Sequence, residues 1–339
     1  MRIYFYMANY FLSIFGLFII NLVSIVSVEA KEKRALVVIL SQTREGNVTF
    51  ESLKKNVLDP LEADLAVCIG VKDGQTPQDP IFQNAKYRFC YSEPEDYATA
   101  FDEASTIIQF QNPEIKKPFD WRKFLKIKDQ FLGGIKDPHD EHPGSAGILI
   151  FFRWFLLQNI LQEKLLDKYD FFVITRSDHL YLLPHPSLQV LGDEKISIPL
   201  GQGYGGFTDR HVVLPKKFVV PYLDILNKMI TKGANYTSKM KIKNNWNLER
   251  FIKFHLNQHR LKKQVQYFLR NMYTMRSTGG TTRWALGDFS EEHGYFLKYP
   301  KEYQDSMENR SKFEKSKDTL DNFYKANLFD AYSYDEKKF

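Results

Sequence analysis

The run Tyr169–Pro186 sets the polar group Arg176-Ser177-Asp178-His179 at the end of the apolar stretch Phe171–Thr175. That stretch is short, β-branched and aromatic and lacks polar alternation, as in a strand buried on both faces of a parallel sheet. Ligands of open α/β sheets gather at the carboxyl ends of the strands, so Asp178 is well sited for a metal ion or a phosphorylated ligand. Neighbouring side chains on a strand point to opposite faces, which separates His179 from Asp178.

Further polar groups follow. The loop Gly201–Gly206 contains Gly205 and Gly206, whose missing side chains let backbone approach a ligand closely; the same residues serve any wide turn. Asp209 comes directly before Arg210, where it can pair with that arginine or cap a helix. Glu249 is the single acid among ten Lys and Arg between Lys228 and Lys263. Such a carboxylate can act as a general base if its pKa is tuned, or pair with Lys253 one turn along a helix. The basic window is either a solvated face or an attraction for a nucleoside diphosphate, an acidic glycan or lipid headgroups. Arg276 and Arg283 flank Gly279-Gly280 and are candidates to hold a diphosphate. Arg153, inside an apolar helix, calls for a carboxylate or phosphate partner.

The elements that position these residues read as α/β. Ala35–Leu40 is a buried first strand leading into Gln42, Thr43 and Arg44. A helix over Phe50–Leu58 stops before Pro60, and Leu65–Ile69 completes a β-α-β unit. Tyr87–Tyr91 is a third strand. The stretch from Ser92 to Gly144 is polar and punctuated by proline, with a short helix at Asp120–Leu132. Ser145 is placed to cap a buried helix, Ala146–Lys168. Ile196–Pro199 and Val212–Leu214 are strands, Pro221–Thr231 and Asn247–Asn257 are helices, and Val265–Met275 is a late strand. From Pro300 the chain is charged and reads as a peripheral helix or disorder.

With 339 residues, 43% hydrophobic and 15% aromatic, the chain can bury one large α/β core, and disorder is excluded. A net charge of +6 without a recognition motif argues against nucleic acid as a partner. Tyr4–Val28 carries no charged residue and is long enough to cross a bilayer as a single-pass signal anchor. Alternatively, cleavage near Ala30, after Val28-Glu29-Ala30, releases a secreted or luminal protein. Basic residues on both sides leave the orientation open. Cys68 and Cys90 form no disulfide framework or zinc pattern; they either pair or stay free.

The segments SQTREGNVTFESLKKNVLDPLEADLAV, FFVITRSDHLYL, GQGYGGFTDRHVV and NLERF, in this order and spacing, resemble nucleotide-sugar glycosyltransferases of the GT-A fold. The likeness is to lipopolysaccharide- and capsule-type enzymes with Arg-x-Asp in place of Asp-x-Asp, and it spans roughly Ala35 to Tyr299. It implies a Rossmann-type mixed, mostly parallel sheet with helices on both faces, preceded by one hydrophobic N-terminal helix. Residues 1–30 would be the anchor or signal, 31–300 the transferase domain and 301–339 the charged tail. The implied reaction moves a sugar from a nucleotide-sugar donor to a glycan or lipid-linked acceptor. Arg44, Arg176, Asp178, Gly205 and Gly206 would contact the donor. Asp178 and a late histidine, His293, would hold Mn²⁺ or Mg²⁺ at the diphosphate, although Arg176 in the first position can bridge phosphates or pair with Asp178 instead. Glu249 or Asp209 would take the acceptor's proton. Two other classes fit the same residues: a non-catalytic glycan or nucleotide-sugar binder on this fold, and a membrane-anchored scaffolding protein.

Overall fold

A computed structural model describes residues 33–331, apart from 73–74, 128–129, 132, 140–144, 242–244 and 280–285. The expected N-terminal anchor and its cleavage site lie outside the described residues. Among the described residues no helix is long and apolar enough to cross a membrane.

The strands are β1 (Ala35–Ser41), β2 (Asp64–Val71), β3 (Tyr87–Ser92), β4 (Lys126–Ile127), β5 (Gln130–Phe131), β6 (Phe171–Thr175), β7 (His179–Tyr181), β8 (Ile196–Pro199), β9 (Val212–Pro215), β10 (Val265–Phe268), β11 (Met272–Arg276), β12 (Asp288–Ser290), β13 (Tyr295–Leu297) and β14 (Phe329–Asp330). Eight form the main sheet in the order β14-β10-β8-β9-β6-β1-β2-β3. β1 lies parallel to both β2 and β6, β2 to β3, and β8 to β10, while β9 and β14 run against their neighbours. The sheet is therefore mixed and largely parallel. The chain leaves β1 toward β2 and β3 on one side and returns as β6 on the other, so β1 and β6 flank a switch point, where the carboxyl ends of the strands open a crevice. A second, antiparallel sheet has the order β12-β13-β11-β7.

The period of two along β1 divides the core between the faces of the main sheet. Leu36, Val38 and Leu40 join Phe151, Phe152 and Leu156 of the Ala146–Gln162 helix. Ala35, Val37 and Ile39 pack with Phe50 and Leu53 of the Gly46–Leu53 helix. Cys68 is buried and Cys90 exposed, and both are free. Cys68 is in register with Phe89, so Cys90 sits one residue on and faces the other way.

Several boundaries differ from expectation. Trp121–Phe124 is only a 3-10 turn, followed by the β4–β5 ribbon rather than a helix to Leu132. Trp121 stacks on Phe101 with centroids 4.5 Å apart and donates to Asp102, which also takes Arg122, and these contacts hold the turn. A helix at Tyr97–Gln111, capped by Asp96, occupies the stretch read as polar loop. The Ala146 helix ends at Gln162, with Lys164 in the left-handed region at φ 51° before a short turn over Leu165–Lys168. Ser145 makes no side-chain cap; the Gly134 carbonyl receives the Gly147 N–H instead. Val265–Met275 is two strands, β10 and β11, in different sheets. Arg153 meets no carboxylate: its guanidinium donates to the Leu149 and Asp209 carbonyls at 3.2 and 3.0 Å.

The charged tail is the largest departure. Its helices Pro300–Ser316 and Leu320–Ala326 belong to the same compact unit as the sheets. Glu302, Ser306 and Asn309 are buried, and Phe323 and Tyr324 enter the core, where Tyr324 meets Phe268 of β10 and donates to the Pro184 carbonyl. These two helices are therefore part of the core rather than peripheral, because a charged helix can still bury the one stripe that faces the protein.

Candidate functional site

Arg44 follows the end of β1, and Arg176 and Asp178 follow the end of β6, so adjacent parallel strands deliver them to the switch point. The turn after β6 is held by the Gly46–Leu53 helix, whose buried Thr49 hydroxyl donates to the Ser177 carbonyl at 2.5 Å. That helix begins at the same edge, with no side-chain cap at its N-terminus, an arrangement suited to an anion. Thr43 is committed elsewhere, donating to Asp79 at 2.6 Å.

Asp178 is 1% exposed and is clasped by two guanidiniums. Arg176 grips it in a fork, Nε to Oδ1 at 2.7 Å and Nη2 to Oδ2 at 2.6 Å, while Arg276 from β11 donates Nη1 to Oδ2. Burial alone would raise this carboxyl; the charge and hydrogen bonds of Arg176, then Arg276, prevail and hold it well below its ordinary value. Arg44, exposed at the rim, feels Arg276, Asp178 and Arg176. Lys298, just after β13, joins them: burial, then Arg276 and Arg176, push its ammonium down to about 8. Two guanidiniums thus hold one carboxylate, and Arg44 and Lys298 lie within electrostatic reach of the same group.

A second cluster adjoins the first. Arg210 pairs with Glu302 at 2.5 Å, and Arg270 reaches the same carboxylate at 3.3 Å. The other oxygen of Glu302 accepts from the Thr274 N–H and hydroxyl. Arg210 also covers the Tyr299 ring at 4.2 Å. Asp209 links the clusters electrostatically, acting on Arg176, Arg210 and Glu249. Burial, and next the Asp209 charge, push the Glu249 carboxyl up to about 7, against its own backbone N–H, Arg210 and Arg153. A carboxyl near neutrality beside a cationic pocket suits proton transfer.

The glycine-rich loop serves this carboxyl by packing. A Cβ on Gly206 would stand 1.9 Å from the backbone carbon of Glu249, and Gly205, at φ +81°, lies against Arg250. Phe207 N–H donates to the Glu249 carbonyl at 3.0 Å, and Lys253 reaches the Gly205 carbonyl at 3.4 Å. The close approach made here is to the first turn of the Leu248–Gln258 helix, capped by Asn247. Gly206→Ala is accordingly expected to destabilise the fold by about 1–3 kcal/mol through overpacking and to displace Glu249, read as a lower urea midpoint; an unchanged midpoint would contradict this packing.

The expected metal set does not come together. Both oxygens of Asp178 are engaged by arginine, and His293 lies against the Tyr303 hydroxyl at 3.1 Å and stacks on Tyr295. Among the described residues no group of three or more His, Cys, Asp or Glu is arranged to hold a metal ion. These residues do not fit a divalent cation, and the positive charge at the site comes from the protein itself. Arg283 lies outside the described residues. A cavity of about 700 Å³ lined by Lys117, Phe119, Lys123 and Lys232 shares no residue with these clusters, and its lysines are exposed.

Sequence reasoning singled out Arg44, Arg176, Asp178, Asp209, Glu249 and Arg276 and missed Lys298, Arg270 and Glu302. Nothing in their local sequence marks these three, since each is one charge among apolar or equally charged neighbours. No protein-family model matches the chain, and no curated protein matches it.

Proposed function

We propose that this protein is a glycosyltransferase that moves a sugar from a nucleotide-sugar donor to a glycan or lipid-linked acceptor, with Tyr4–Val28 as its link to the membrane. The observation that carries the reading is the clasp of Arg176 and Arg276 on one buried carboxylate at the switch point, with Arg44 and Lys298 in electrostatic reach and a second carboxyl near neutrality. In this mechanism Glu249 takes the proton of the acceptor hydroxyl as that oxygen bonds to the anomeric carbon. The bond from that carbon to the diphosphate breaks, and the departing oxygen's charge is met by guanidinium and ammonium groups. Asp178 holds Arg176 and Arg276 in place, and Asp209 keeps Glu249 basic enough to accept the proton.

Calorimetric titration with UDP and GDP, followed by a donor panel read by release of nucleoside diphosphate, tests the reading. Arg44→Ala is expected to weaken diphosphate binding about tenfold, the worth of one charge-assisted hydrogen bond, without moving the melting temperature, because Arg44 is exposed. Lys298 adds a pH signature. A bound anion raises an ammonium's pKa, so binding at pH 8 takes up protons and binding at pH 6 does not, as read from titrations in buffers of different ionisation enthalpy. Absence of any nucleotide binding would overturn the proposal.

The full engagement of Asp178 by arginine also favours a second reading, a nucleotide-sugar binder without transfer. Tight binding with no nucleoside diphosphate release from any donor would select it.

A further inference from the structure

Beneath the arginine cluster runs a buried chain of hydrogen bonds whose direction follows from its far end. His185 Nδ1 faces the Pro186 carbonyl at 2.8 Å. A carbonyl only accepts, so Nδ1 carries the proton and His185 Nε2 is a bare lone pair. His211 Nε2, 3.2 Å away, must then donate to it, which leaves His211 Nδ1 to accept from the Thr175 hydroxyl at 3.0 Å. Thr175 has spent its single proton, so it accepts from the Tyr181 hydroxyl at 3.0 Å and from His179 Nδ1 at 3.3 Å. Burial drives His179 to about 3 and His185 to about 4, and holds His211 well below its ordinary value, so all three rings are neutral.

The chain ends on His179 Nε2, a lone pair that can only accept. It is buried, and no described residue bonds to it. It lies on the other edge of the ring from Thr175, and the charges that act on the ring are Asp178, Glu302, Arg176 and Arg210, the residues of the two clusters. His179 pairs across the strands with Thr274, whose hydroxyl donates to Glu302, so the ring stands beside the second cluster while its Nε2 still lacks a donor. An unmet buried acceptor is costly, and a hydroxyl is the neutral group that supplies one proton to it.

Resting on the donor-site reading above, we propose that His179 is a recognition residue whose Nε2 accepts a hydrogen bond from a hydroxyl of the phosphate-bearing ligand. The Thr175, His211 and His185 chain acts as its positioning group, fixing the tautomer that makes Nε2 an acceptor.

The test compares inorganic pyrophosphate, UDP, GDP, UDP-glucose and GDP-mannose on the full chain and on His179→Phe. Pyrophosphate affinity is expected to be unchanged in the variant, while ligands that present the hydroxyl bind about tenfold more weakly. A loss confined to the nucleotide sugars assigns the hydroxyl to the sugar; one that begins with UDP or GDP and disappears with their 2′,3′-dideoxy analogues assigns it to the ribose, and one that persists with those analogues overturns the hydroxyl assignment. Nitrogen-15 spectra of the imidazoles of the unmodified protein provide a readout independent of the variant's folding. His179 should carry its proton on Nδ1, and its Nε2 resonance should move with hydroxyl-bearing ligands but not with pyrophosphate. Equal effects of His179→Phe on pyrophosphate and nucleotides, or a static Nε2 resonance on nucleotide-sugar binding, overturn this inference alone. Failure of the unmodified protein to bind any of the five overturns the donor-site reading as well.

Discussion

Glu249→Gln is expected to lower turnover by about 10²–10⁴-fold, the usual worth of a positioned general base, with nucleoside diphosphate affinity unchanged. The glutamine keeps the shape of the first helical turn against Gly206 and removes only the titrating group. For the proposed transfer, the carboxyl of the unmodified protein must be ionised to accept a proton. With its pKa near 7, kcat/KM should fall as the pH drops below about 7. Asp209→Asn removes a charge that raises Glu249, so it should move this limb to lower pH. The linked stability effect has the opposite sense. Folding raises Glu249 above its ordinary 4.5, so the native state holds this proton more tightly than the unfolded chain does. Stability contributed by the protonated group is lost as pH climbs between those values, and the glutamine variant should be the more stable protein at neutral pH. A flat rate profile through pH 7 would remove Glu249 from the mechanism.

Glu302→Ala carries the largest expected cost in stability, about 3–5 kcal/mol, because deleting one member of a buried ionic cluster strands the others. Arg210 and Arg270 would both lose the carboxylate they share, and the Thr274 N–H would lose its acceptor. Urea unfolding at pH 7 measures this difference. Burial would raise the Glu302 carboxyl, but Arg210 and Arg270 outweigh it and hold it below its ordinary 4.5. Its contribution is therefore fully present above that value and lost as acid lowers the pH through the depressed one. The gap between variant and parent should close in that acid range and nowhere else. Equal midpoints at pH 7 would mean that the cluster is not held by Glu302.

The strand ends were legible because buried parallel strands leave an apolar signature that stops abruptly. Phe171–Thr175 begins and ends where expected, and Ala35–Leu40 is extended by one residue. The helix at Tyr97–Gln111 was equally present in the pattern, with Tyr97, Ala100, Phe101, Ala104 and Ile108 on one face, but the prolines and acids around it read as loop. Partnerships between distant residues were not legible. Arg176 suggested either phosphate or Asp178; only the folded chain shows that Arg276, a hundred residues on, completes the clasp. Gly206 carried a ligand-like signature whose real cause, the backbone of Glu249, comes from a segment 43 residues later. His179 was separated from Asp178 by alternation, which applies within a strand; β7 begins at His179, and the Asp178 charge acts on its ring.

The clasp of Glu302 on Arg210 and Arg270 also orders the birth of the protein. A nascent chain released as far as β11 has already made every arginine of both clusters, yet the acid that neutralises two of them is still inside the ribosome. Until the helix beginning at Pro300 docks, Arg210 and Arg270 lack the carboxylate that they share. The second cluster is therefore completed by a part of the chain made after both sheets' strands from β1 to β13.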